Sequence, residues 1–296
     1  MCGIVGYIGN KQAWPIVIDG LRRLEYRGYD SSGIAVLDPV GDLKFRKSTG
    51  KVSDLSASVA KSPIDGMLGL GHTRWATHGK PSENNAHPHT GHGGRVAVVH
   101  NGIVENFIEL KRELLDSGHV FSSETDTEVI AHLVHAKREP PDTLAEAVKL
   151  AVKDLKGAYA LGAIHIKEPQ VVVAARKGSP LVLGMGTNEN LIASDQLAIA
   201  DYAENFIFLK EGDTAEVTPS GTRLWDESDQ EVVRPVVVEK TLGETIDKGE
   251  YRHFMLKEIF EQPDKIKGLL SGQLTDAGVP QEIFGPTAPE IFEKVE

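Results

Sequence analysis

The sequence predicts an α+β fold in which two antiparallel β-sheets are flanked by helices. Short apolar runs fill the chain up to about Val238, and Gly, Pro and Asp residues separate them, as is typical of strands. Pairs of these runs are followed by pairs of helical segments and then by more runs. A parallel, doubly wound sheet would instead alternate single strands with single helices.

Nine segments carry the strand pattern and four carry apolar residues at helical spacing, as Ile16, Val17, Leu21 and Leu24 do. The predicted strands are Gly3–Ile8, Gly33–Leu37, Met67–His72, Arg95–His100, Ala158–His165, Val171–Ala175, Leu191–Ala193, Asn205–Leu209 and Thr214–Val217. The predicted helices are Ile16–Leu24, Phe107–Leu115, Thr127–Ala136 and Leu144–Leu155.

The composition narrows the possible functions of this 296-residue chain. A net charge of −11 argues against a nucleic-acid partner, because the phosphates would be repelled. No run of about 18 apolar residues is present, so no membrane partner is expected. The start lacks the pattern of a secretory signal, and the single cysteine cannot form an internal disulfide. These features predict a cytoplasmic protein.

The sequence pattern of the chain changes near Val238. Residues 239–250 are polar, and a strongly helical segment, Tyr251–Phe260, follows and reaches Pro263. No closing strand pattern appears before Glu296. We therefore predict one domain over residues 2–238, and a linker with the first helices of a further domain over residues 239–296. A mobile regulatory extension is the alternative.

Cys2 is the first candidate for chemistry because of its position. Removal of Met1, which a small second residue favours, would leave a free α-amine beside the thiol. An α-amine has a pKa of about 7.7–8.0, so it can take the thiol proton near neutral pH and return it to a leaving group. Such a residue combines nucleophile and base. A cysteine packed in a first strand is the structural alternative.

A second candidate lies in Gly71–Gly79, where a predicted strand ends in Arg74, Trp75, Thr77 and His78. The guanidinium of Arg74 can bind a carboxylate through two hydrogen bonds, and Trp75 can supply an apolar wall. A salt bridge at the sheet end beside a half-buried Trp would explain the same residues without a ligand.

Two weaker signals come further along the chain. Asn101 and Gly102 follow a predicted strand, where an Asn-Gly pair usually forms a turn. The pair could also present a side-chain amide and a backbone N–H to one oxyanion. Thr125 and Glu128 form a capping-box pattern that places Asp126 in a first helical turn. A cap explains Asp126 structurally, and binding of an ammonium group would explain it functionally.

The histidine-rich loop His87–His92 is the main competing clue, because imidazoles at this spacing could hold Zn²⁺ or Cu²⁺. The chain offers no second Cys and no His-Glu-x-x-His helix to support such a site. A loop that lines a pocket is the favoured interpretation, with no metal and no cofactor. A metal-binding or regulatory module remains the alternative.

Taken together, these segments resemble the class II, N-terminal-nucleophile glutamine amidotransferases. The resemblance covers essentially the whole chain and is most specific in its amino-sugar-forming branch. It rests on Cys2–Gly6, Leu21–Ser31, His72–Gly79, Pro81–Glu83, Asn85–His89, His100–Asn106, Ser123–Glu128, Ala193–Gln196 and Tyr251–Pro263. The Cys-Gly-Ile start alone is shared with amidophosphoribosyltransferases, which are the alternative within the family.

The resemblance implies a four-layer α/β/β/α sandwich and hydrolysis of L-glutamine to glutamate and ammonia through a Cys2 thioester. Asn101 and Gly102 would hold the oxyanion. Arg74 would bind the α-carboxylate of glutamine, with Thr77 and His78 beside it, and Asp126 would bind the α-ammonium. The remaining expected pocket residues are Trp75, Arg27 and His87.

The resemblance also implies a partner domain. In the amino-sugar-forming branch a sugar-phosphate isomerase half follows the position of Glu296, mediates homodimer formation, and uses the ammonia to convert fructose 6-phosphate to glucosamine 6-phosphate. The resemblance implies that residues 1–296 do not include that half. Hydrolysis of glutamine is therefore the activity expected of residues 1–296 by themselves.

Overall fold

The computed structural model describes residues 2–28, 30–76, 79–138, 143–239, 250–252 and 254–271, with only the backbone for Arg27, Phe254 and Leu269. The chain divides into two compact units between residues 246 and 247. None of the helices in the described ranges combines the length and the apolar content that crossing a bilayer requires.

The first unit contains fifteen strands and five helices within the described ranges. The strands are β1 Gly3–Ile8, β2 Ser31–Leu37, β3 Leu43–Thr49, β4 Leu68–Arg74, β5 His89–Thr90, β6 Val96–Val104, β7 Gly157–His165, β8 Val172–Lys177, β9 Val182–Met185, β10 Asn190–Ala193, β11 Asn205–Phe208, β12 Thr214–Thr218, β13 Gly221–Trp225, β14 Glu231–Val232 and β15 Val237–Val238. The helices are α1 Ala13–Leu24, α2 Val52–Lys61, α3 Phe107–Asp116, α4 Asp126–Lys137 and α5 Leu144–Asp154.

The strands form two sheets. The first sheet has eight strands in the order β15-β11-β9-β10-β1-β4-β2-β3, and the second has seven in the order β14-β13-β12-β8-β7-β6-β5. Every strand pair among the described residues is antiparallel. Strands β1 and β4 therefore lie in the middle of the first sheet, and β6 lies near one edge of the second.

Three apolar clusters hold the layers together. Leu21 of α1 belongs to the cluster between the first sheet and helices α1 and α2. Ile4 and Val99 belong to the cluster between the two sheets. Val98 and Leu133 belong to the cluster between the second sheet and helices α3, α4 and α5. The layer order is thus helix, sheet, sheet, helix, which confirms the predicted fold class.

Strand β6 differs from its prediction in a way that matters for the site. The sequence predicted that the strand ends at His100 and that Asn101-Gly102 forms a turn unless it serves an oxyanion. The structure continues the strand to Val104, and β6 pairs with β7 through Asn101↔Ala160 and Gly102↔Tyr159. The turn interpretation was wrong, because pairing along a nine-residue strand overrides the local preference of the dipeptide.

The second unit contains one described helix, α6 Phe254–Ser271. The predicted helix began at Tyr251 and reached Pro263. The structure begins the helix three residues later and continues it through Pro263 for two further turns. Residues 240–249 and 272–296, which the sequence assigns to a linker and to the start of a further domain, lie outside the described residues.

Candidate active site

The alternation of side chains along the first sheet brings several predicted residues to one face. Strand β1 pairs with β4 through Gly3↔Thr73 and Ile4↔His72. Successive side chains of a strand point to opposite faces, so His72 and Arg74 share the face of Ile4. This is the face that packs against the second sheet. Cys2, two residues before Ile4, lies at the end of the same face.

The Cys2 thiol is held by the backbone of Trp75. The Trp75 N–H donates to Sγ at 3.2 Å, and the thiol donates to the Trp75 carbonyl at 3.7 Å. Asp30 fixes this segment, since its carboxylate accepts from the N–H of Ala76 at 2.8 Å. Burial raises the pKa of the Cys2 thiol, and the Trp75 N–H opposes that change only in part. The thiol is therefore protonated near neutral pH and needs a base before it can attack.

Strand β6 carries Asn101 and Gly102, which lie beside Cys2. Nδ2 of Asn101 donates to the carbonyl oxygen of Cys2 at 3.3 Å. Gly102 has a φ of +134°, which L side chains rarely adopt, and a Cβ there would lie 2.0 Å from the carbonyl oxygen of Ala158. Only glycine fits this position, and the strand therefore passes the pocket with an uncovered backbone.

Asp126 enters the site from the first turn of α4. Thr125 caps the helix by accepting from the N–H of Glu128, as the capping-box pattern predicted. Oδ2 of Asp126 accepts from the N–H of Val104 at 2.9 Å, which ties the carboxylate to the end of β6. Because the Asp126 side chain is buried, this hydrogen bond fixes the direction in which the carboxylate faces the pocket.

The Glu128 side chain, the other half of the capping box, differs from its usual form. The Glu128 carboxylate reaches past Thr125 and accepts from the N–H and hydroxyl groups of Ser122 and Ser123 at 2.6–2.8 Å. Burial disfavours the charged carboxylate, but His132 and these donors outweigh burial and hold the pKa of Glu128 below its ordinary value. The network makes the segment before Asp126 rigid.

One pocket unites most of the predicted residues. Six of the ten line it: Cys2, Arg74, Trp75, His87, Gly102 and Asp126. Asn101 joins them through its bond to Cys2. The sequence missed three further lining residues, His100, Thr125 and Thr127. Thr125 and Thr127 flank Asp126 in sequence and could have been included on that ground alone.

Three predicted residues have no described side-chain position. Thr77 and His78 lie outside the described residues, and Arg27 is described only through its backbone, in the 3₁₀ turn Glu25–Arg27 that follows α1. Trp75 is 53% exposed, so it lies at the rim of the pocket while its backbone contacts the thiol.

The histidines of residues 87–92 separate into two groups. His87 stacks on His72 with ring centroids 4.0 Å apart, and His89 contacts His87 and Thr125. His92 packs instead against His119 and His135, at 5.4 and 5.7 Å between centroids. Within the described part of the chain, no group of three or more His, Cys, Asp or Glu side chains is arranged to hold a metal ion.

Comparison with known proteins finds similar sequences and a similar fold. The family model "Glutamine amidotransferase domain" matches residues 72–201. The curated glutamine–fructose-6-phosphate aminotransferases (isomerizing) of Pseudomonas putida and Escherichia coli K12 are 52% and 48% identical over 295 and 296 residues. Each alignment covers 100% of this chain and 48% of the relative. The chain therefore spans about half the length of the curated relatives it matches.

A solved structure gives the same result at the level of the fold. The glutamine phosphoribosylpyrophosphate amidotransferase of B. subtilis superposes with a TM-score of 0.65 at 28% identity, covering 78% of this chain and 50% of that one. With the sequence similarity over the whole chain, this shows that the chain belongs to the glutamine amidotransferase family.

Proposed function

We propose that this chain hydrolyses L-glutamine to L-glutamate and ammonia, with the thiol of Cys2 as the nucleophile. The observation that carries the proposal is the meeting of Cys2, Arg74 and Asp126 in one small pocket beside Asn101. A nucleophile, an amide donor, a cation and an anion are the groups that cleavage of an amino-acid amide requires.

The reaction follows from the groups at the pocket. Once Met1 is removed, the α-amine of Cys2 accepts the thiol proton, and Sγ attacks the carbonyl carbon of the glutamine side-chain amide. Nδ2 of Asn101 and the N–H of Gly102 stabilise the oxyanion. When the carbon–nitrogen bond breaks, the α-ammonium returns the proton and ammonia leaves. Water then attacks the Cys2 thioester, which releases glutamate and restores the thiol.

The substrate is a zwitterion, and the pocket offers both signs of charge. We assign the α-carboxylate of glutamine to Arg74 and the α-ammonium to Asp126, whose orientation is fixed by Val104. The proposed pocket also includes Trp75, Thr77, His78, Arg27 and His87. Burial of Arg74 and Asp126 strengthens both interactions, because the competing water is excluded.

In the longer protein we propose that the ammonia is passed on to fructose 6-phosphate, which would give glucosamine 6-phosphate for amino-sugar synthesis. The names of the curated relatives describe this transfer, and those relatives match the whole chain at about twice the identity of the phosphoribosylpyrophosphate enzyme. An isomerase half, a homodimer formed through it and a cytoplasmic location belong to the same proposal.

Replacement of Cys2 tests the function. Glutamate and ammonia release from L-glutamine are measured for the Met1-free wild type, Cys2→Ala and Cys2→Ser, with urea unfolding as a check on the fold. We expect turnover by the wild type, no turnover by Cys2→Ala, and at most a low residual activity in Cys2→Ser. Turnover by a folded Cys2→Ala protein would overturn the proposal.

A further inference from the structure

His72 is a buried residue in contact with Asn101 that the proposed reaction does not use. Its ring lies on β4, between the stacked ring of His87 and the side chain of Asn101. Nε2 lies 2.9 Å from Oδ1 of Asn101 and 3.0 Å from the carbonyl oxygen of His100. His72 is completely buried, so water does not compete for these contacts.

The contacts determine which ring nitrogen of His72 carries the proton. A carbonyl oxygen can only accept, so Nε2 must donate to His100. Burial lowers the pKa of His72 to about 3, and the ring is therefore neutral near pH 7 with a single proton. That proton must be on Nε2. Among the described residues, Nδ1 has no hydrogen-bond partner, which agrees with this tautomer.

The same contacts determine which way the Asn101 amide faces. Its NH₂ group donates to the carbonyl oxygen of Cys2 at 3.3 Å, while Oδ1 accepts from His72. A flipped amide would place Oδ1 against the Cys2 carbonyl and the NH₂ group against the Nε2–H of His72. Two acceptors would then face each other at Cys2, and two donors would face each other at His72. With His72 in place, the NH₂ group is held on the side of Cys2.

We propose that His72 is a positioning residue that locks the Asn101 amide with its N–H bonds toward Cys2, so that the amide is ready to donate to the oxyanion. This inference rests on the proposed glutamine hydrolysis. A flipped Asn101 would present an oxygen to the developing negative charge. Through Asn101, His72 acts on the transition state, so its loss should lower kcat much more than it raises KM.

Kinetics of matched variants test the role. His72→Leu removes the donor, and His72→Gln keeps an N–H near the position of Nε2. We expect His72→Leu to lower kcat about 10- to 100-fold, less than the ~10²–10³-fold cost of losing a whole oxyanion donor, with KM within about twofold. His72→Gln should recover part of kcat. In an Asn101→Ala background, His72→Leu should have no further effect on kcat.

The control is His165→Leu, the same change at another buried histidine, at the far end of β7 from the site. It should leave kcat unchanged, and urea unfolding of each variant separates loss of fold from loss of positioning. A raised KM with unchanged kcat in His72→Leu, or an equal loss with and without Asn101, would overturn the proposal.

A second measurement does not depend on turnover. In ¹⁵N-histidine-labelled protein, NMR of the ring nitrogens should show His72 with its proton on Nε2, the signals being assigned by their loss in His72→Leu. A proton on Nδ1 would overturn the positioning role even in an active enzyme. Absence of glutamine hydrolysis by the wild type, with the Nε2–H form present, would instead count against the proposed function alone.

Discussion

At the scale of single residues, Gly102 shows how backbone conformation prepares the pocket. Its φ of +134° and the 2.0 Å approach that a Cβ would make to the Ala158 carbonyl both exclude other residues. The neighbouring Asn101 therefore sits on a strand whose path depends on glycine. A substitution at Gly102 should therefore displace the Asn101 amide that contacts Cys2.

We predict that Gly102→Ala lowers both stability and activity. The strained φ alone costs about 1–3 kcal/mol, and relief of the clash must shift β6 away from β7. A displacement of about 1 Å at a catalytic group can lower a rate about 100-fold. Urea unfolding and glutamine hydrolysis measure the two effects.

The control for this variant is Gly118→Ala, at a residue that also has a positive φ, +86°, but has no atom within 4 Å of an added Cβ. It should cost about 1 kcal/mol or more of stability through backbone strain and leave kcat unchanged. Equal loss of activity in the two variants would contradict the role of Gly102.

The same residues show what the sequence could and could not predict. Cys2, Arg74 and Asp126 were recognisable because their chemistry and neighbours are distinctive. Asn101 and Gly102 gave a local turn signal, which only the pairing with β7 overrides. The contact between His72 and Asn101 joins residues 29 positions apart on different sheets, and no local pattern in the sequence predicts it.

At the scale of elements, the start of α4 depends on Glu128. Its carboxylate accepts four hydrogen bonds from Ser122 and Ser123 and so fixes the segment that precedes Thr125 and Asp126. Helix α4 is buried along most of its length because it packs between β6 and helices α3 and α5. A disturbance at its first turn would therefore reach the Asp126 carboxylate.

We predict that Glu128→Gln destabilises the protein by about 2–5 kcal/mol, since hydrogen bonds to a charged group contribute about 1.5–3 kcal/mol each and some will re-form with the amide. Because folding lowers the pKa of Glu128, its contribution is present above the unfolded value of about 4.5 and is lost as the pH falls below it. The deficit of the variant should therefore be present in full at neutral pH.

Urea unfolding of the wild type and the variant at pH 7 measures this loss of stability. The matched control is Glu113→Gln on the exposed face of α3, which should change stability by less than about 0.5 kcal/mol. A Glu128→Gln variant as stable as the control at pH 7 would refute the proposed support of α4.

Elements were predictable where their apolar pattern was strong. Helices α1, α3, α4 and α5 were anticipated, whereas helix α2 and the strands β3, β5, β9, β13, β14 and β15 were missed. The β3 sequence Leu43–Thr49 is rich in polar residues because it forms an edge strand that is only partly buried. Lys47 lies on the same face as Leu43 and Phe45 and so interrupts the alternation, although pairing with β2 defines the strand.

At the scale of the whole molecule, the packing of two sheets buries four imidazoles beside the pocket: those of His72, His87, His89 and His100. Burial lowers the pKa of all four, to about 3 for His72 and His89. In the unfolded chain each would titrate near 6.5, so the unfolded state binds more protons below that pH.

We therefore predict that the free energy of unfolding falls steeply as the pH is lowered from about 6.5 toward 4. Each buried imidazole contributes a slope of up to about 1.4 kcal/mol per pH unit. His89→Gln keeps an N–H near Thr125 but cannot take up a proton. It should therefore make the slope shallower by up to about 1.4 kcal/mol per pH unit, the contribution of one imidazole. Urea unfolding from pH 7 to pH 4.5 measures both slopes, and equal slopes would show that His89 is not held neutral.

The proposed mechanism depends on a thiol and an α-amine in one terminal residue. The most direct measurement compares two preparations released from a cleavable tag, one beginning at Cys2 and one with a single glycine before Cys2, with intact mass confirming each start. The Cys2-first protein should release ammonia from L-glutamine at least about 100-fold faster, since the base is lost when the amine forms a peptide bond. Equal rates would contradict the mechanism.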